Sequence, residues 1–157
     1  MRRLALALLL TGATAATSFA QHGVPELIPA RAKGAEKVVV ATVMSVTPTW
    51  ETNKYGDRLI ISHAELHVEE SLKGNAPQVL SLDVEGGTIG DLTLTVSDME
   101  ALAPGQRGVF FVDETRPGTH VPHHRGSGIL KLDKAGNVRG TNVTLDDVKR
   151  QVKQGVQ

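Results

Sequence analysis

The 157-residue chain has no cysteine, and aromatic residues make up only 3% of it. Without thiols there are no disulfides, zinc-thiolate sites, iron–sulfur clusters or thiol nucleophiles. So few rings exclude the stacking platform on which single-stranded nucleic acid is held. Charge of one sign is lacking too: 17 Lys+Arg face 17 Asp+Glu, whereas a phosphate-binding surface is strongly basic. No apolar run reaches the roughly 20 residues that cross a bilayer. The motifs Gly-x-Ser-x-Gly, His-Glu-x-x-His, Gly-x-x-x-x-Gly-Lys and the dinucleotide fingerprint do not occur. Together these absences argue for a non-catalytic chain with no nucleic-acid partner and no membrane span after leader removal.

Residues 1–20 read as an export signal. Arg2 and Arg3 precede the Leu/Ala run Leu4–Leu10, and Ser18-Phe19-Ala20 sets small side chains at the −3 and −1 places of a cleavage site. Cleavage before Gln21 removes two arginines and leaves two more acidic than basic residues. The expected location is the periplasm or the medium.

Residues 21–35 form a lead-in with room for one helical turn, docked by Leu27 and Ile28. A single domain then fills 36–157. Val38–Met44 is apolar at successive positions, as in a strand covered on both faces, and Pro48 is expected to end it. Ile60, Ser62, Ala64, Leu66 and Val68 alternate with His63, Glu65, His67 and Glu69, which gives one buried and one wet face. Leu80, Leu82 and Val84 repeat the pattern. Gly86-Gly87 marks a bend. A fourth strand is expected at Leu92–Val96, a capped helical turn at Ser97–Leu102 and a short buried strand at Gly108–Val112. Asp113–Gly128 shows no strand pattern. A hairpin over Ile129–Arg139 and a helix over 144–154, capped by Thr144, complete the chain. The expectation is a mainly β fold: a small closed or partly open antiparallel β-barrel of about six strands with one C-terminal helix.

The succession Val38–Val43, Leu66–Gly74, Gly86–Gly90 and Leu102–Val112 resembles short exported bacterial proteins. Their barrel is similar to the netrin-module/TIMP-like branch of the OB fold. The likeness covers about residues 35–140 and implies an OB-like barrel. The cysteine-dependent protease inhibition of that branch does not carry over, because this chain has no cysteine.

Two loops stand out on such a barrel. Trp50 and Tyr55 lie in the first long connection, and Arg125 closes the segment His120–Arg125; both are candidate contacts for an envelope or secreted protein partner. His120, His123 and His124 form the alternative, a transition-metal site, since neutral imidazole suits Zn, Cu or Ni. Otherwise no cofactor is expected. Ser127, between Gly126 and Gly128, reads as turn chemistry, although a hydrolase is a third possibility.

Overall fold

The computed structural model describes residues 24–157, with side chains from Ile28 onward. The export signal expected at residues 1–20 lies outside them. Helix α1 (Val24–Gly34) leads into the long strands β1 (Lys37–Thr52) and β2 (Arg58–Lys73), followed by β3 (Val79–Glu85). A small hairpin, β4 (Gly87–Ile89) and β5 (Leu92–Leu94), stands apart from the main sheet. Then come β6 (Arg107–Arg116), β7 (Thr119–Pro122), a 3-10 turn at Arg125–Gly128, β8 (Ile129–Lys131) and helix α2 (Leu145–Val156).

The six-stranded sheet runs β1-β2-β3-β7-β6-β8, and β6 also pairs with β1, so five strands form a partial ring. All pairs are antiparallel except β3–β7, which touch in parallel at Ser81↔Thr119 and Leu82↔His120. This corrects the all-antiparallel expectation. β6 returns antiparallel to β1, and its hairpin partner β7 therefore points the same way as β3.

The valine run shows why two cores exist. Val39, Ala41 and Val43 face the ring interior with Leu66, Leu80, Leu82, Phe110 and Val112. Val38 and Val40 face outward, under α1 and α2, with Phe111, Ile28, Val148 and Val152. Adjacent Phe110 and Phe111 thus serve opposite faces, as a period of two requires. Thr144 caps α2 by accepting from the Asp147 N–H (3.1 Å), and Asp147 accepts in return from the Thr144 N–H (3.1 Å).

Four expectations are corrected. Pro48 does not end β1, which continues opposite Ser62. The Gly86 N–H donates to Ile60 O and the Val68 N–H to Gln78 O, so even residues of β2 turn their peptide groups toward β3 and odd ones toward β1. With Thr47 opposite His63 and Thr49 opposite Ile61, odd residues of β1 bond β2, and the Pro48 nitrogen points to an edge that β6 has already left. Leu92–Val96 does not enter the main sheet, because Gly86 and Gly87 (φ 104° and 142°) turn the chain out of it. Ser97–Leu102 forms a tight turn with Met99 N–H donating to Val96 O (3.0 Å) in place of a helix. Asp113–Gly128 holds the end of β6, all of β7 and the 3-10 turn; its glycines and prolines mask a strand only four residues long.

Candidate functional site

β1 and β2 run on past β6, and beyond the Ile61↔Glu85 pair with β3 they form a two-stranded arm closed by a tight turn. The Asn53 side chain accepts from the N–H groups of Tyr55 and Asp57 (2.9 Å each), and Gly56 supplies the positive φ. Trp50 is 41% and Tyr55 77% exposed. Each ring carries a cation: Arg58 lies 4.9 Å from the Trp50 ring centre and Lys54 5.0 Å from that of Tyr55. Such pairs contribute about 0.5–1 kcal/mol at exposed sites and stiffen rings that would otherwise swing freely. At the arm's root a cavity of about 250 Å³ opens between Val46, Pro48, Ser62, Gly87, Leu94 and Met99. That is below the roughly 300–1,000 Å³ usual for drug-sized ligands.

The opposite face of the arm is polar. The His63 Nδ1–H donates to Asp83 Oδ1 (2.6 Å), because a carboxylate can only accept. Its Nε2 meets Thr49 Oγ1 at 2.8 Å and Glu51 Oε1 at 3.0 Å. Arg116 closes on the second oxygen of Asp83 (3.0 Å). Acid, imidazole and hydroxyl follow one another as in a nucleophilic relay. But Glu51 competes for the same nitrogen, and Thr49 points away from the cavity that Pro48 lines. The cluster reads as a clasp joining β1, β2, β3 and β6. Sequence reading placed His63 on the wet face but missed its partners, which only the pairing register brings together.

The structure does not bring His120, His123 and His124 to one point; among the described residues no group of three or more His, Asp or Glu is set to hold a metal. His120 is 2% exposed. Lys37 Nζ donates to its Nε2 (3.0 Å), and its Nδ1–H donates to Ser81 O (3.2 Å), so both nitrogens are spent. His123 Nδ1–H donates to Asp113 Oδ2 (2.7 Å). His124, in a left-handed backbone conformation (φ 52°), stacks on His123 with ring centres 4.0 Å apart.

Arg125 is likewise committed. It donates to both oxygens of Asp98 (2.7 and 3.3 Å) and to Glu85 (2.9 Å), pinning the 96–99 turn to the 3-10 turn. These bonds hold the Asp98 carboxyl below the ordinary range and raise the Arg125 guanidinium. Ser127 Oγ donates to His124 O (2.8 Å), a turn bond.

Two polar groups, Arg31 and His123, lie at the seam between α1 and the ring, and Arg31 was not anticipated. Arg31 is 8% exposed, with its guanidinium 5.3 Å from the centre of the Phe111 ring and no hydrogen bond from Nη1. It forms no ion pair among the described residues, and burial lowers its pKa. His123 Nε2 is also buried without a partner; it abuts Gly34, where a Cβ would come within 2.7 Å. Burying an isolated charge costs several kcal/mol, and a ring face returns about 2. No family model and no curated protein matches the chain.

Proposed function

We propose that this chain is an exported, non-catalytic interaction module, periplasmic or secreted, that binds another protein through its β1–β2 arm. The observation that carries this reading is the arm itself, which presents Trp50 and Tyr55 to solvent, each braced by a cation. Aromatic and arginine side chains on a rigid support are the usual anchors of protein contacts. The ring order β1-β2-β3-β7-β6, with its one parallel pair, supports an OB-like barrel of the netrin-module/TIMP-like kind. Fold of this type carries no activity by itself.

Chemical cross-linking in an envelope extract tests the arm. A partner joined to the native chain should be lost from a Trp50→Ala/Tyr55→Ala double variant that remains folded; equal recovery by both removes the arm from the proposal. Export is tested by N-terminal sequencing of the product, which should begin at Gln21.

A further inference from the structure

We propose that the cavity at the root of the arm is a binding site for a small, uncharged, hydrocarbon-like molecule of about ten heavy atoms.

The cavity lies where the ring interior meets the surface. One wall belongs to the ring, through Val46 of β1, Val84 of β3 and Leu102. Val84 and Leu102 are part of the inner core and Val46 packs against it, so the cavity continues the apolar interior outward. The other wall is the excursion 86–97, whose Leu94 and Val96 face the same space. Its strands β4 and β5 pair only with each other. Gly86 and Gly87, both at positive φ, turn the chain into this excursion. Arg125 ties its two ends at one point, donating to Glu85 (2.9 Å) before it and to Asp98 (2.7 Å) after it. The result is a flap clamped at its base and laid across the mouth of the ring. Mouths of β-barrels are a common place for small-molecule sites.

The lining decides what fits. Its polar side chains are engaged with the chain itself. The Ser62 hydroxyl donates to Gly86 O (2.6 Å), and the hydroxyls of Thr88 and Thr93 bond each other (2.9 Å). Glu85 is the one ionisable side chain among the described residues of the walls, and Arg125 already holds it. No counter-charge is left for an ion, and an unpaired charge loses more on leaving water than apolar contact returns. A neutral apolar molecule pays no such penalty and gains by covering the valine and leucine surfaces. Met99 adds a wall that adapts to aromatic and aliphatic shapes alike. Size sets the upper bound. An apolar cavity of about 150 Å³ holds a benzene ring; at about 250 Å³ this one has room for a second fused ring or a branched chain.

Nuclear magnetic resonance titration of the protein with toluene, indole, benzoate and benzylamine tests the proposal. Toluene and indole should each bind saturably, one per chain, with Kd below about 1 mM. Both should show nuclear Overhauser contacts to the methyl groups of Val84, Leu94 and Met99. Benzoate and benzylamine, similar in shape but charged, should bind at least about tenfold more weakly. Val46→Phe fills the cavity from β1, and Ala101→Phe fills it from another part of the lining. Either variant, where folded, should lose both neutral ligands. Three results on the native chain would overturn the proposal: no saturable binding of either neutral ligand, contacts that map away from the cavity, or charged ligands held as tightly as neutral ones. Neutral binding that survives in a folded filling variant would do the same, since it shows adventitious partitioning only. The outcome is independent of what the arm binds, because Trp50 and Tyr55 are not part of the lining.

Discussion

Gly87 carries much of the bend after β3. Its φ of 142° is one that side chains rarely adopt, and a Cβ would lie 2.5 Å from Ser62 Oγ and 3.2 Å from Pro48 Cβ. Gly87→Ala should therefore lower stability by about 1–3 kcal/mol, read as a shift in denaturant midpoint at constant slope. Phe110→Ala, which empties the ring interior, should cost about 3–5 kcal/mol. Residues such as these were legible in the sequence: paired glycines announce a bend, and alternating Leu80, Leu82 and Val84 announce a buried face. Arg31 was not legible. An arginine near the end of a short helix looks solvated, and only the docking of α1 on Phe111 buries it.

At the level of elements, three ties join segments distant in the chain. Glu69 on β2 accepts two bonds from Arg107 Nε and Nη2 on β6 (2.8 and 2.6 Å to Oε2) and one from Thr42 on β1 (2.7 Å). The hydrogen bonds from Arg107, then Thr42, hold its carboxyl below the ordinary range against the opposing effect of burial. Lys131 does the same for Glu100, as do the Gly118 N–H and Lys37 for Glu114. A carboxyl lowered on folding stabilises the native state above its unfolded pKa, about 4.3 for Glu, and loses that effect as pH falls through the folded value. The stability these three carboxylates contribute should accordingly decline below about pH 4. Arg107→Met should make that decline shallower in denaturant titrations run at stepped pH. The outer edge of β1 raises a second expectation. Pro48 withholds a donor in the middle of an exposed strand edge, which discourages a second chain from pairing there. Pro48→Thr should increase self-association in light scattering while leaving the monomer folded. Proline's usual role as a strand terminator hid this from sequence reading, since which edge a nitrogen faces depends on register.

For the molecule as a whole, the outward core under the helices is separate from the interior of the ring. Chains ending before Thr144 lose α2 and uncover Val38, Val40, Val109 and Phe111. Such a truncation should bind a hydrophobic dye and melt at lower temperature while keeping the far-ultraviolet signal of its strands. Trp50 and Tyr55, by contrast, lie outside both cores, so the double substitution should cost no more than the two cation–ring pairs it removes, about 1–2 kcal/mol. The general plan was legible in the sequence because both-face burial of Val38–Val43 already demands two compartments. The path of the chain between β3 and β6 was not, because Leu92–Leu94 carries a strand pattern without a strand's place in the sheet.

The parallel contact of β3 with β7 rests on two residue pairs, whereas the β1–β2 ladder extends along nearly the whole of both strands. A hoop yields at its narrowest join. Within the ring, native-state deuterium uptake should therefore begin at the seam-facing amides of Ser81 and His120, long before the amides of Val39–Val43 give way.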